Sequence, residues 1–427
     1  MSITVIVILF LALLVVGTPV AYIFYFVGGT YLLASGVNLG AVVQKMGSSM
    51  NSINMVAVPM FIFAGTFMNH LNLTDNIFNA IMVTPIGKMK GGLAQTNVVA
   101  SLVFAGMSGA ALADVGGLGK IEIKAMVNGG YSLEDSTGIT LGSSVLGPLF
   151  PPSIPLLLYA LYAEQSGIRM LAAGVVPALL MCALFMITVA ILARKRNWPV
   201  YDGPKDKKAR LKIFVKGIPG FMVPVLLLGG MYSGKFASSE LAAVCSAIAL
   251  VIAVVFYHSV SWKTFVDAAK ESVANIGAMF FICGAASVFA QVVSRAGVAK
   301  TVQAFVGGLN VSALGMLAII NIIFLIIGMF MDSNVAIMIF TPILLPALIN
   351  MGVDPVHFGV VVCLNVVIGI FTPPFGSALF LGQAVTGLSF AKIVKSMLPY
   401  FIPLLLGLAI ITVFPAISTW LPTLIYG

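Results

Sequence analysis

Two short stretches of this chain combine residue types that could hold an ion. Gly147-Pro148-Leu149-Phe150-Pro151-Pro152-Ser153 lies inside a long apolar run, and Gly369-Ile370-Phe371-Thr372-Pro373-Pro374-Phe375 repeats its plan 222 residues on (369 − 147). Proline lacks a backbone N–H and its ring clashes with the carbonyl four residues back. A glycine followed by a proline pair therefore breaks a helix and leaves carbonyls and amides without intrahelical partners. In hydrocarbon such groups are stable only when buried in protein or lining a polar cavity. Two polar interruptions accompany the breaks, Gly106-Met107-Ser108-Gly109-Ala110-Ala111 and Gly328-Met329-Phe330-Met331-Asp332-Ser333-Asn334. Opposing a polar tip to an unwound helix gathers backbone carbonyls with Ser, Thr and Asn oxygens. That environment suits Na⁺, while half-helix N-termini offer amides to a carboxylate.

The pattern predicts one sodium site from Ser108, Gly109, Ser143, Ser144, Gly147 and Pro151. It predicts a second from Asp332, Ser333, Asn334, Asn365, Gly369, Thr372, Pro373 and Gly376. Ser108, Ser153, Asn334, Thr372 and Ser377 are the candidates for contacting substrate, and Ser153 is placed to cap the half-helix after its proline pair. A carboxylate in an apolar hairpin is costly, which makes Asp332 a functional candidate. Its other reading is the cap of a turn facing a water-filled vestibule. Asp114, followed by Gly116, Gly117 and Lys120, is expected to approach the cytoplasmic side and is less distinctive.

Enzyme chemistry finds little support. The chain has no Gly-x-x-x-x-Gly-Lys-Ser/Thr loop, no stretch long enough for a soluble nucleotide domain and no His/Cys/Asp/Glu set at metal-ligand spacing. His70, His258 and His357 fall at span ends, where interfacial, solvated roles are expected. Cys182, Cys245, Cys283 and Cys363 lie far apart in apolar runs and read as small buried hydrophobes.

The elements that must position these residues are membrane helices. Of 427 residues 60% are hydrophobic and 8% charged, with mean hydropathy +1.11, against about 25% charged in soluble domains. Apolar runs near 20 residues recur throughout, and the alternating strands of an outer-membrane barrel are absent, so the fold is all-α and polytopic. Much of the net charge of +9 sits in one loop, as Arg194, Lys195, Arg196, Lys205, Lys207, Lys208, Arg210, Lys212 and Lys216. A basic loop marks the cytoplasmic side of a membrane, and no basic face interleaved with aromatics points to nucleic acid. The apolar N-terminus has no basic lead-in or small-residue cleavage site and reads as a retained first helix.

Spans are expected over 3–17, 20–36 and 53–71, with an amphipathic arm at 38–51 carrying Asn38, Gln44, Lys45, Ser48 and Ser49. His70, Asn72 and Asp75 lead into a short segment ending at Lys88 and Lys90. Residues 91–128 read as a re-entrant hairpin with its tip near Ser108, the alternative being an ordinary helix followed by a loop. A broken helix over 134–164 and a span over 168–193 complete a first repeat, 1–193, and a basic cytoplasmic linker covers 194–212. The second repeat, 213–427, has spans at 213–231 and 238–257. An arm with His258, Trp262, Lys263, Asp267, Lys270 and Glu271 follows, then a span at 272–293. A hairpin at 303–350, a broken helix at 356–386 and a last span at 397–424 finish it. With the linker in the cytoplasm the N-terminus is periplasmic or external, and the repeats are inverted. Gly106-Met107 and Gly328-Met329, Gly147 and Gly369, Pro151-Pro152 and Pro373-Pro374, and Pro177 and Pro399 all keep the offset of 222. Matched breaks in two halves mark a transporter's binding site.

The chain resembles the large membrane subunit of TRAP (tripartite ATP-independent periplasmic) transporters over essentially its whole length. Ser108-Gly109, the block Gly147 to Pro155, Met331-Asp332 with Thr341-Pro342-Ile343-Leu344-Leu345-Pro346, and Thr372-Pro373-Pro374-Phe375-Gly376 carry the resemblance. It implies a bacterial inner-membrane secondary transporter of the elevator type, in which a mobile domain of both hairpins and broken helices slides against a scaffold. It further implies Na⁺ as coupling ion with no other cofactor, and an organic acid anion, a sialic acid or C4-dicarboxylate, as substrate. A periplasmic binding protein would deliver that anion. A small four-helix membrane subunit, expected here as a separate polypeptide, would complete the assembly in the lipid bilayer. Arg169, Arg295 and Lys300 are candidates for the docking surface. The alternative is a binding-protein-independent divalent anion/sodium symporter of similar architecture. A third reading, an intramembrane enzyme or assembly scaffold, lacks any nucleophile–base pair in the sequence.

Overall fold

The computed structural model describes residues 3–51, 53–70, 73–204, 206–258, 260–309 and 311–427. Asn72 and Lys205, named above, lie outside them, and so does the side chain of Ser49. The described residues form helices, with no strand among them beyond an isolated bridge between Lys90 and Val200. Seven of these helices are long and apolar enough to cross a membrane.

The N-terminal part comprises α1 (Ile3–Val15), α2 (Val20–Ile23), a π-helical turn (Phe24–Gly28), α3 (Gly29–Ala34), α4 (Leu39–Met50), α5 (Ile53–His70) and α6 (Leu73–Met82). The arm expected at 38–51 is α4, which starts where the Asn38 side chain accepts the Gly40 amide at 2.8 Å. The first hairpin follows as α7 (Gly92–Ser108), α8 (Ala111–Gly116) and α9 (Leu118–Asn128), and α8 and α9 fold back along α7. The first broken helix is α10 (Leu133–Ser143) and α11 (Ile154–Tyr162), separated by the Gly147–Ser153 stretch, and α12 (Gly167–Lys195) leads into the linker.

Beyond it come α13 (Lys207–Ser233), α14 (Ser238–Val255), α15 (Trp262–Arg295), α16 (Val298–Gly308), α17 (Ala313–Phe330), α18 (Ser333–Asn350), α19 (Pro355–Ile370), α20 (Ser377–Thr386), α21 (Phe390–Val413) and α22 (Ala416–Tyr426). Three boundaries differ from the sequence reading. The arm after His258 and the span at 272–293 form one 34-residue helix, α15, because no proline or glycine pair interrupts the join. The last span is two helices, divided at Phe414 and Pro415, where proline removes an amide donor. The ends of the basic linker are helical, so Arg194 and Lys195 form the last turn of α12 and Lys207 opens α13 behind an Asp206 cap.

Packing sorts the helices into two groups. α5 packs most densely on α14 and α15, and α6 on α13. α7 packs on α10 and α12, α10 on α21, α12 on α22, α17 on α19, and α18 on α11. Lipid is as apolar as a leucine side chain, so close backbone approach and interhelical hydrogen bonds hold such helices together. Tyr159, fully buried on α11, donates from its hydroxyl to the Pro355 carbonyl at 2.6 Å and so ties the first broken helix to the second. At the end bearing the linker, Arg196 pairs with Asp135 while Trp198 Nε1 donates to the other Asp135 oxygen at 3.0 Å. Lys392 reaches Glu134 at 3.1 Å. The carboxyl of exposed Glu134 is held below its usual range by the helix-start amide of its own backbone and then by Lys392.

Candidate transport site

The first tip is made by one glycine. Gly109 ends α7 at φ 63°, the left-handed conformation that terminates helices at little cost only for glycine. Its missing side chain also leaves room for the neighbouring break, since a Cβ there would collide with the Pro152 carbonyl oxygen. The Ile154 amide donates to the Gly109 carbonyl at 3.4 Å, which joins tip to break. Ser153 caps α11 by accepting the Leu156 amide at 3.1 Å, as its position after the proline pair implied, and its hydroxyl donates to the Pro148 carbonyl. Gly147 faces Ala110 of the tip. The Pro151-Pro152 and Pro373-Pro374 bonds are both cis.

At the second tip, Asp332 ends the crossing from α17 and caps α18, its carboxylate accepting the Asn334 amide at 2.9 Å. It is also exposed to a cavity, which is the capped turn facing a vestibule that the sequence offered as its other reading. Thr372 donates to the Ile368 carbonyl at 2.8 Å, and the Gly376 amide donates to the Thr372 carbonyl at 3.2 Å. The two breaks differ in setting. Every residue from Gly147 to Ser153 is buried, whereas Pro374, Phe375 and Ser377 are exposed, with the Phe375 ring tilted against Phe330 at a centroid distance of 5.1 Å.

A cavity of about 940 Å³ lies where the two tips face α5, α6 and α15. Ser108, Ala110 and Ile154 line it from the first tip and break, and Asp332, Asn334 and Met338 from the second tip. The facing helices contribute His70, Asp75, Glu271 and Asn275, and His70 Nε2 meets Glu271 Oε2 at 2.7 Å across α5 and α15. Lys120 of α9 completes the wall. Polar groups from both tips converge on this one concavity, which makes it the candidate site for a small charged solute.

Of the residues expected to act, Ser108, Asp332 and Asn334 line this cavity; Ser143, Ser144, Gly147, Ser153, Asn365, Thr372 and Ser377 do not. Ser143 turns into a buried network. It accepts from Ser101 at 3.0 Å and donates to Asn97 Oδ1 at 2.8 Å, and Asn97 Nδ2 donates to Glu122 at 2.7 Å and to Thr140 at 2.8 Å. Asn365 Nδ2 donates to the side chain and backbone carbonyl of Asn321 at 2.8 and 3.0 Å, and Asn321 donates to Thr412 at 2.9 Å. Ser333, Gly369, Pro373 and Gly376 stay at the second tip and break, Gly369 against the backbone of Gly328.

One expectation needs correction, and Asp114, which the sequence left indistinct, is fully buried, with α8 packed against the turn that follows α10 and against α20. His357 was expected to be solvated, yet it is 1% exposed inside α19 beside Ser418. The sequence carried a signal for the polar cluster near Asp114: Asn97 and Ser101 are four apart on α7, and Thr140 and Ser143 are three apart on α10, with Ser144 just beyond its end. The four cysteines are free and buried, as their apolar surroundings implied.

Residues 7–417 match the model of the tripartite ATP-independent periplasmic transporter family, DctM component. The chain belongs to this family. As a TRAP large membrane subunit it is a multi-pass protein of the inner membrane and a transporter component. It is 34% identical over 421 residues to the sialic acid TRAP transporter large permease protein SiaM of Vibrio cholerae, covering 98% of this chain and 97% of the relative. It is 32% identical over 393 residues to the C4-dicarboxylate TRAP transporter large permease protein DctM of Pseudomonas aeruginosa, covering 92% of each. Among solved structures the TRAP subunit shares its fold with the YdaH transporter of Alcanivorax borkumensis, at TM-score 0.59 and 15% identity over 90% of each chain.

Proposed function

We propose that this subunit carries an organic acid anion into the cell on the Na⁺ gradient, receiving it from a periplasmic binding protein and working beside a small four-helix membrane subunit. The observation that carries the reading is the cavity bounded on one side by both tips and on the other by α5, α6 and α15. An elevator needs such a boundary between moving and static parts. The hairpins and broken helices, packed on one another, are the candidate mobile domain, and α5, α6 and α13 to α15 the candidate scaffold. The two halves 1–193 and 213–427 act as inverted repeats joined by the cytoplasmic linker 194–212, with the N-terminus outside.

Sodium would sit where each tip meets its break. The carbonyls around Gly109, Gly147 and Pro151 are the ligands we assign to the first site, and the oxygens of Asp332, Ser333, Asn334, Thr372 and Gly376 to the second. Lys120 is the basic side chain that the cavity wall offers an anion. A sialic acid or a C4-dicarboxylate is the favoured class, since the relatives at 34% and 32% identity carry those names.

The test is uptake into proteoliposomes holding this chain and its small subunit, with a cognate binding protein outside. Labelled sialic acid or succinate should accumulate only with an inward Na⁺ gradient and only with the binding protein. Uptake without the binding protein would favour the divalent anion/sodium symporter. No uptake of any organic anion would reject the reading.

A further inference from the structure

At the end of α13 that carries the basic linker, two recesses lie side by side. One, of about 330 Å³, is walled by Lys88, Tyr201, Asp202 and Arg210 among others. The other, of about 350 Å³, is walled by Val83, Lys207, Arg210, Leu211 and Phe214. Glycine at 217 and 220 brings α13 against Ala80 and Ile77 of α6, and α6 ends at Met82. Just past that end Arg210 Nη2 donates to the Val83 carbonyl at 3.1 Å, which holds the guanidinium in the wall common to both recesses. The linker is fixed beside the first recess. Lys90 bridges Val200 through its backbone and donates from Nζ to Asn197 Oδ1 at 2.9 Å.

Three cations, Lys88, Lys207 and Arg210, thus stand against one carboxylate, Asp202, in the described walls. None of the three makes an ion pair among the described residues. Asp206, close by in sequence, is committed to capping α13 and accepts the Lys208 amide at 3.0 Å. Like charges gathered without a counter-charge repel, and an anion among them removes that cost. The apolar surface beside them says which anion. Leu211, Phe214, Ile218 and Met222 are exposed and recur every three or four residues, so they form one stripe down α13, a helix apolar enough to cross a membrane. From Leu211 to Met222 (222 − 211 residues at a rise of about 1.5 Å) the stripe is about 16 Å long, close to half of a hydrocarbon core of about 30 Å. A soluble anion makes no use of such a stripe, whereas a phospholipid lays an acyl chain on it while its phosphate meets the cations. We infer that the paired recesses hold the headgroup of an anionic phospholipid, with Lys88, Lys207 and Arg210 around the phosphate and an acyl chain along Leu211 to Met222. Basic pockets where helices leave the membrane bind such headgroups. The lipid would tie α6, α13 and the linker together at the membrane surface. Which leaflet supplies it rests on the proposed function, which puts the linker in the cytoplasm; the site itself does not.

The test is native mass spectrometry of the chain with its small subunit, released from nanodiscs holding equal amounts of phosphatidylglycerol and phosphatidylcholine. The wild type should retain phosphatidylglycerol in preference by at least about tenfold. Each basic side chain at an anionic surface strengthens binding about fivefold, so Lys88→Gln with Lys207→Gln, worth about thirtyfold together, should abolish the preference. Both substitutions spare Arg210 and its bond to Val83. Lys212→Gln with Lys216→Gln removes the same charge from α13 outside both recesses and should leave the preference unchanged. Equal loss in the two double variants overturns the site, since only overall charge would then matter. Equal retention of both lipids by the wild type overturns it even if no variant folds. Displacement of the lipid by inorganic phosphate would reassign the recesses to a soluble anion. Release of the small subunit from the Lys88→Gln, Lys207→Gln variant with its lipid retained would reassign them to that subunit, and either result rejects the lipid site. No arm measures uptake, so each outcome is independent of the transport reading.

Discussion

Gly328 of α17 and Gly369 of α19 meet backbone to backbone: a Cβ on Gly328 would lie 2.8 Å from the Gly369 Cα and 2.7 Å from the Val366 carbonyl oxygen. Their counterparts at the offset of 222 do not meet in this way, since Gly106 faces Pro224 and Phe150 while Gly147 faces Ala110. The matched glycines thus serve different contacts in the two halves, and only the second pair clamps a hairpin arm directly to a broken helix. Gly369→Ala or Gly328→Ala should destabilise the subunit by about 1–3 kcal/mol through overpacking. Gly229→Ala, on α13 with nothing near its added methyl, should be neutral or slightly stabilising. Chemical unfolding in detergent measures this, and equal losses at all three positions would deny the clamp.

Gly109→Ala combines a left-handed backbone with a collision against the Pro152 carbonyl. The left-handed conformation alone costs a non-glycine residue about 1–2 kcal/mol. Because the collision lies between tip and break, the expected outcome is uptake reduced by about tenfold or more, with the protein still inserted in the membrane. Wild-type uptake would show that the tip can shift without consequence.

Asp332 has two duties that substitutions can separate. Asparagine keeps the cap on the Asn334 amide but removes the charge facing the cavity, and alanine removes both. Losing a cap costs about 1 kcal/mol. Asp332→Ala should lower both stability and uptake, while Asp332→Asn should lower uptake alone. If Asp332→Asn transports normally, the carboxylate is a structural cap and leaves the second sodium site.

Neighbours Glu134 and Asp135 should respond very differently to mutation. Asp135 is 14% exposed and satisfies both Arg196 and Trp198, so Asp135→Ala leaves the indole N–H unpartnered and should cost about 1–3 kcal/mol. Glu134 pairs with Lys392 in solvent, and Lys392→Met should change stability by less than about 1 kcal/mol. Since the Glu134 carboxyl is held below its usual range, its pairing contributes fully above the ordinary Glu range near 4.5 and fades as pH falls below it. A stability profile from pH 7 to pH 3 for the wild type and Lys392→Met tests this, and a difference growing toward acid would contradict the sign.

The breaks and tips were legible in the sequence because their causes are local. A proline pair after glycine ends a helix wherever it stands, Ser153 was marked as a cap by its neighbours, and Asp332 stood out as a carboxylate among apolar residues. Which polar side chains meet was not legible. In helices apolar on nearly every side, periodicity does not show which face turns inward. α8 and α9 fold onto α7 and α10, and only that packing buries Asp114, which the sequence did not single out. The same applies to Ser143, which reaches Asn97 and Ser101, and to Asn365, which reaches Asn321. The twin motifs show the division most directly. Identical proline pairs break both helices, because that depends on backbone chemistry alone. One break is buried and the other exposed, because that depends on which helices pack against it.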